Sequence, residues 1–451
     1  MADKLKITII GGGSYAWTPT IFRDLVVTEE LEGSTICLED IDPAALRDQE
    51  RLARKILKTS GRKVKLQSTT SQAEALDGAN FVILTISTGG LDAMEHDIGI
   101  PLKYGIYQAV GDTVGPGGLA RALRNIPVVV GIGHDMEKHC PNAWMINYTN
   151  PMTTLTRAMW RYTRTRTIGL CHELFGTLSF IAQLFGIEDR HEIEVQAAGI
   201  NHLLWILSMR IRGEDGFEML RRYLADHKAF GRKRVVRKSG QETTHAQTLT
   251  GSHQVKLALF EAFGALPAAG DRHVAEFFPH FLTEATHSGV DWGVHLTTVA
   301  ERKTSWLPGA ITRTKEMLAG KRAIELTRSG ETASLIIAAL AGRRPPLIDV
   351  MNLPNQGQVP ELPLDVVVET MAGADRVGAR GLAAGRLPMG VLNVLMTHVI
   401  NQELVVEAAM TGDRHLALQA LLNDPLTRDF KDAHKMLDEM IEANHKLLPQ
   451  F

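Results

Sequence analysis

Leu5-Lys6-Ile7-Thr8-Ile9-Ile10 runs directly into Gly11-Gly12-Gly13-Ser14, and this junction decides the fold. A short β-branched apolar run halted by glycine reads as a fully buried strand. Where such a strand meets its helix, residues without side chains let backbone N–H groups approach a pyrophosphate. The helix N-terminus favours the negative charge brought there. The strict fingerprint asks for a third glycine three residues after Gly13. Ala16 stands there, which the looser form of the motif admits. A plain tight turn is the alternative, so the surrounding pattern has to arbitrate.

That pattern is an alternation. Residues 18–31 read as helix and 35–38 as a second strand, which ends in Glu39-Asp40-Ile41-Asp42. Pro43 stands where a helix begins, and helical spacing continues to Gly61. Strand signals return at 64–67, 81–86, Trp144–Asn147 and 167–170, with helical segments between most of them. Strands alternating with helices predict a parallel sheet wound on both faces. The expected fold class is therefore α/β, with a Rossmann-like nucleotide-binding domain over residues 1–195. From 196 to 451 the pattern becomes mixed α+β with a helical C-terminal region. Leu203–Ile211 reads as a strand, Gly216–His227 and 246–263 as helices, and 387–448 as nearly continuous helix. This second domain is expected to pack over the carboxyl edge of the sheet, where open α/β sheets bind ligands.

Bulk properties exclude several classes. A net charge of -2 over 451 residues offers no basic field for nucleic acid. Three cysteines, Cys37, Cys140 and Cys171, make no disulfide framework and fit a reducing cytoplasm. No leader is visible, and no apolar run is expected to reach the roughly 18 residues of a membrane helix. A cytoplasmic protein without nucleic-acid or membrane partners is expected. The run from Arg232-Lys233-Arg234 to Arg237-Lys238 reads as a solvated loop, with an anionic substrate or a neighbouring subunit as alternatives.

Chemistry-bearing residues cluster after strands. Asp40 ends the second strand, where a carboxylate accepts ribose hydroxyls, and an acid there favours NAD over NADP. Capping the helix at Pro43 is its other reading. Thr85-Ile86-Ser87-Thr88-Gly89-Gly90 follows a strand and can line a cofactor. The glycine-dense segment 111–118 precedes a helix and is suited to close approach of a ligand, with Asp112 able to hold a sugar hydroxyl. Asn150, in Asn147-Tyr148-Thr149-Asn150-Pro151, offers a donor and an acceptor to vicinal hydroxyls, or caps a helix. Cys171, in Cys171-His172-Glu173, and His202, in Gly199-Ile200-Asn201-His202, form a soft and a borderline ligand for a divalent cation with open positions. An inert buried thiol is the alternative for Cys171. Asp271-Arg272-His273 sets charge beside the apolar Val274–Phe278 segment, where pKa values move, or forms a loop salt bridge.

Together these segments resemble glycoside hydrolase family 4 across most of the chain. The resemblance rests on Gly11–Ser14, the 111–118 loop, Asn150-Pro151, Cys171-His172-Glu173, Asn201-His202 and the later Asn355-Gln356-Gly357 to Leu362-Pro363. It implies a glycosidase that uses NAD and a divalent metal, usually manganese, rather than two carboxylates. The implied route is C3 oxidation of the sugar, C2 deprotonation, elimination and water addition, after which the hydride returns. It implies Cys171 and His202 as metal ligands, and Gly11, Gly13, Ser14, Asp40 and Thr85 as cofactor contacts. Asn150, Asn201 and Arg272 would meet substrate, Arg272 being a candidate partner for a uronic carboxylate. Catalytic candidates are His172 as leaving-group acid with Glu173 beside it, Asp271 or His273 as base, and Asp112. Cys-His-Glu-Val is associated with α-galacturonidases; Cys171-His172-Glu173-Leu174 differs at the last residue. The expected activity is α-galacturonidase-like, with α-glucosidase or α-glucuronidase as family alternatives and a malate- or lactate-type dehydrogenase as the alternative of another class. The resemblance also implies a homodimer or homotetramer.

Overall fold

Strand β1 (Lys6–Ile10) shows why its residues were chosen. Ile7 and Ile9 point to one face of the sheet, and Thr8 and Ile10 to the other. Both faces are covered, so all four side chains are buried. The Thr8 hydroxyl escapes a penalty by donating to Ala75 O at 2.7 Å. Ile7 and Ile9 pack with Ile21, Phe22 and Leu25 of helix Thr18–Val27. Ile10 packs with Leu119, Leu123 and Ile126 of helix Gly115–His139. The computed structural model describes residues 4–189, 192–227 and 252–451. The basic run at 232–238 and residues 246–251 lie outside the described residues.

Five further strands run parallel to β1. They are β2 (Thr35–Glu39), β3 (Lys65–Thr69), β4 (Phe81–Leu84), β5 (Trp144–Asn147) and β6 (Arg166–Gly169), in the order 3-2-1-4-5-6. That order is the dinucleotide-binding arrangement, with its switch point between β1 and β4. The α/β class expected from the sequence is the fold observed. Helix Pro43–Ser60 begins at the expected proline and ends at Gly61, which takes φ +65°.

The second half does not merely cover the sheet; it extends it. β7 (Ile193–Ile200), β8 (Leu203–Ile211), β9 (Glu214–Asp215), β10 (Leu266–Pro267), β11 (Leu347–Pro354), β12 (Val367–Asp375) and β13 (Gly378–Gly381) join one 13-stranded sheet. β11 docks antiparallel on β6 with Asn352 opposite Gly169. A Cβ on Gly169 would lie 2.9 Å from Asn352 Cβ and 2.8 Å from Thr156 Oγ1, so only glycine allows that approach. Then β12, β7, β8 and β10 follow, all antiparallel. Helices Met389–Thr411, Arg414–Asn423 and Phe430–Ala443 form the C-terminal helical region and pack on helix Gly115–His139 and one another. Met389–Thr411 is long and apolar enough to cross a membrane, which amends the expectation that no run approaches that length. Val391, Leu395, Val399 and Val406 of that helix are instead buried in the protein core.

Helix Gly115–His139 also carries a buried ion pair. Arg124 reaches both oxygens of Asp97, at 2.7 and 2.5 Å, with neither side chain exposed, and its Nε donates to Thr88 O at 2.9 Å. Removing one partner strands the other charge in low dielectric. Asp97→Ala should lower unfolding stability by about 3–5 kcal/mol, measured by urea denaturation. A loss under about 1 kcal/mol would show that the pair is not desolvated.

Candidate active site

Because the first six strands are parallel, their carboxyl ends share one edge. That edge receives Gly11–Ser14 after β1, Asp40 after β2, Thr85–Gly90 after β4, Asn150 after β5 and Cys171-His172-Glu173 after β6. The glycine turn is wedged between its neighbours. Gly11 N and Gly12 N donate to Glu39 O at 3.0 and 2.7 Å. Gly11 has φ +88°, and a Cβ there would stand 2.1 Å from Thr85 O. Gly13 N donates to Asp40 Oδ2 at 2.8 Å. Asp40 is thus tied to the turn and only partly covered. The helix at Pro43 is capped by Asp42, which accepts from Ala44 N and Ala45 N, so the capping alternative for Asp40 falls to its neighbour. Ser14 Oγ accepts from Trp17 N at 3.1 Å and shapes the entry to the first helix. Thr85 is buried, and its N–H continues the β1 ladder to Ile10 O.

His202 comes from the two-residue turn between β7 and β8 and adopts φ +64°. Left-handed backbone at a non-glycine residue is strained and marks a position held for a purpose. Its Nδ1 is 2.8 Å from Thr113 Oγ1, which directs Nε2 away as the free nitrogen. Burial, then His273, lowers its pKa to about 3, so the ring is neutral and fit to ligate. His273 stacks on His202 with centroids 3.7 Å apart. Ligand atoms of Asp112, His202 and His273 lie within 4.8 Å of one another. Asp112 also accepts from Thr113 Oγ1 at 2.7 Å and Asn150 Nδ2 at 3.2 Å. Burial works against ionisation of Asp112, but His273, His202 and Arg121 together hold its carboxyl well below the usual range. Asn150 Oδ1 and His273 Nδ1 are buried without partners. The Asn150 Oδ1 acceptor and the neutral His202 imidazole beside the Asp112 carboxylate make a donor set that a divalent cation takes.

Cys171 is not in that group of three. Its thiol lies against the Asn201 amide, with the Glu369 and Glu173 carboxylates near. Burial, then those two carboxylates, raises its pKa well above the ordinary value. A thiolate there needs a cation to offset it. Asn201 precedes His202, so the β7–β8 turn brings both to the end of β6.

Glu173 Oε2 accepts from Gly270 N at 2.6 Å. Burial opposes its charge, but His273 and His202 bring its pKa down to about 2. His172 is half-exposed, with Nδ1 3.1 Å from Glu331 Oε1 and Nε2 3.7 Å from Glu173 Oε1. The hydrogen bond to Glu331 raises its pKa. Asp271 is spent on structure: its two oxygens accept from Val255 N and Lys256 N, at 2.7 and 3.1 Å. Arg272 donates to Thr297 Oγ1.

Several site-shaping residues escaped sequence reasoning. Glu276, fully buried, accepts from Val110 N and Gly111 N at 2.8 Å each. Asp424 accepts from Gly115 N at 3.0 Å. The Asp112 loop is therefore pinned at both ends by buried carboxylates from distant segments. Glu369 accepts from Asn352 Nδ2 at 2.7 Å beneath Cys171. Arg121 Nε donates to Asn150 O at 2.9 Å. A lone acid in an apolar stretch, as in Ala275-Glu276-Phe277-Phe278, is the only sequence signal these left. Glu276→Ala frees two buried N–H groups, at about 1–3 kcal/mol each. It should raise the metal concentration for half-maximal activity at least about tenfold, whereas Glu276→Gln, which keeps the acceptor, should change it far less. Metal titration of activity reads both.

The Family 4 glycosyl hydrolase model matches residues 6–187, and the family's C-terminal domain model matches 197–427. The chain belongs to glycosyl hydrolase family 4. An alpha-galacturonidase of Bacillus subtilis (strain 168) is 37% identical over 449 residues, 98% of each chain. A crystal structure of the Bacillus subtilis protein lplD is 36% identical and superposes with a TM-score of 0.86, over 97% of this chain and 99% of that one. A 6-phospho-alpha-glucosidase from gut microorganisms, solved with NAD and Mn2+, shares the fold at 22% identity, with a TM-score of 0.82 over the whole of both chains. Membership in family 4 removes the dehydrogenase alternative and makes this protein a glycosidase.

Proposed function

We propose that this family 4 enzyme is an NAD- and manganese-dependent α-galacturonidase that releases galacturonic acid from short oligomers. The observation that carries the chemistry is the meeting of Asp112, His202 and His273, from three distant segments, at the sheet edge that holds the glycine turn. The substrate reading is supported by relatives named alpha-galacturonidase at 36–37% identity over nearly the whole chain.

When bound, the dinucleotide supplies reversible hydride acceptance and the cation supplies Lewis acidity. The chain's own residues do the rest. Gly11, Gly13 and Thr85 shape the dinucleotide site, Ser14 sets its helix entry, and Asp40 takes the ribose. Cys171 and His202 would hold the metal, with Asp112, which meets His202 in the same group, completing the set. Asn150 faces sugar hydroxyls through its unpartnered Oδ1, and Asn201 orients the thiol. His273 is the base for the C2 proton; Asp271, bound to two backbone N–H groups, is not. His172, whose protonated form the Glu331 hydrogen bond favours, delivers a proton to the leaving group, and Glu173 holds the Gly270 turn beside it. We also place a division near residue 195, supported by the change from parallel to antiparallel strands. A cytoplasmic homodimer or homotetramer is part of the same proposal, supported for compartment by three free cysteines.

Aryl α-galacturonide, α-glucuronide, α-glucoside and α-galactoside compared side by side, with NAD and Mn2+ present, test the substrate. The galacturonide should lead the others by at least about tenfold in kcat/KM. Preference for a neutral hexoside would reject the uronide reading.

A further inference from the structure

A short π-helical turn, Arg302–Trp306, stands beside the site and has no role in the chemistry above. Such turns are uncommon and gather at functional positions. Arg302 Nη2 donates to Val110 O at 3.2 Å, next to the Gly111-Asp112 segment. Arg272, the neighbour of His273, comes from a different part of the chain. Both guanidinium groups lie over the Trp306 ring, at 5.4 Å for Arg302 and 5.9 Å for Arg272. Among the described residues neither forms an ion pair, and the Nε of each is buried without a partner. The Asp112 and Glu276 carboxylates offset part of the Arg302 charge, while burial and Arg272 oppose it, so an anion shared by the two guanidinium groups would relieve both. Trp306 remains 46% exposed, so the cluster can be reached from solvent.

We infer that Arg302, together with Arg272 over Trp306, receives the C6 carboxylate of the substrate and is the specificity determinant for a uronide. The guanidinium fork matches a carboxylate in geometry as well as charge. A neutral CH2OH at C6 would leave both cations unpaired, so the same pair rejects hexosides. Docking of Arg302 on Val110 O ties this recognition to the loop that carries Asp112. The inference deepens the uronide reading and rests on it.

The test compares aryl α-galacturonide with aryl α-galactoside in Arg302→Gln and Arg302→Lys. The ratio of kcat/KM, galacturonide over galactoside, should fall about 10- to 100-fold in Arg302→Gln, in line with loss of a charge-assisted hydrogen bond. Arg302→Lys should recover part of that loss, because it keeps the charge and gives up the fork. As a second measurement, the Kd of free galacturonate should rise about 10-fold or more in Arg302→Gln, with galactose as the reference ligand. A ratio within about threefold of wild type, or unchanged galacturonate binding, overturns the inference. Wild-type enzyme that does not cleave the galacturonide defeats the parent reading instead, and shows it before any variant is made.

Discussion

Cys171→Ala lowers kcat/KM on the aryl galacturonide by about a thousandfold or more, and added Mn2+ does not restore it. The physical reason is the setting of the thiol. Burial and the Glu369 and Glu173 carboxylates all oppose a thiolate at this place. The anion is disfavoured by itself, and a cation sharing the pocket would favour it, so that the two would stabilise each other. Removing the sulfur leaves Glu369 and Glu173 in place but takes away the soft ligand proposed for manganese, which should then be lost. Lewis-acid stabilisation is worth several kcal/mol, and each 1.36 kcal/mol is about tenfold in rate. Cys140→Ala is the control. Cys140 is buried in the hydrophobic core, and its replacement should leave the metal requirement intact. Activity and bound-metal content measured on the same samples decide the matter. Full activity with full metal occupancy in Cys171→Ala would remove the thiol from the metal site.

A substrate carrying deuterium at C2 loses that label to solvent during turnover, and His273→Ala suppresses both the loss and the turnover by about 100- to 10,000-fold. Its stacking on His202 and its unpartnered Nδ1 support the base role proposed for His273. The two backbone hydrogen bonds that Asp271 accepts favour a structural role for it over that of base. Asp271→Asn should therefore act mainly on stability, since one oxygen still accepts while the other position becomes a donor facing an N–H. Mass spectrometry of the released sugar reads the label. Complete retention in the wild-type product would rule out the elimination route. Wild-type wash-out in His273→Ala would move the base to another group.

Much of this protein could be read residue by residue. β1 announced itself because four consecutive β-branched residues end at glycine, and burial on both faces follows directly from that composition. Asp40 carried two readings, ribose contact or helix cap, and only the hydrogen bonds showed that the cap is Asp42. β11 and β12 went unread for a clear reason. Asp349, Asn352 and Glu369 interrupt their apolar runs yet are buried, and Asn352 is tolerable in a core only because Glu369 and Gly169 accept from it. Polar residues that satisfy one another across strands look like loop residues when seen alone.

The identity of the site residues was likewise divided. Cys171, His202, Asn150 and Asp112 stand at strand ends or in glycine-rich turns, and local pattern offered them as candidates with alternatives left open. Their grouping is another matter. Parallel strand order brings the ends of β1, β2, β4, β5 and β6 to one edge, and the antiparallel extension returns the His202 turn to that edge. His273 joins them only through that extension. Glu276, Asp424 and Glu369 act on residues far away in the chain, by accepting backbone or amide hydrogens that no linear pattern reveals. Local propensity and hydrophobic period were sufficient for the strands, helices and glycine turn, because those depend on neighbours in sequence. The assembly of ligands, the pinning of the Asp112 loop and the placing of two arginines over Trp306 were decided by the tertiary structure, because each depends on distances that exist only once the sheet has closed around them.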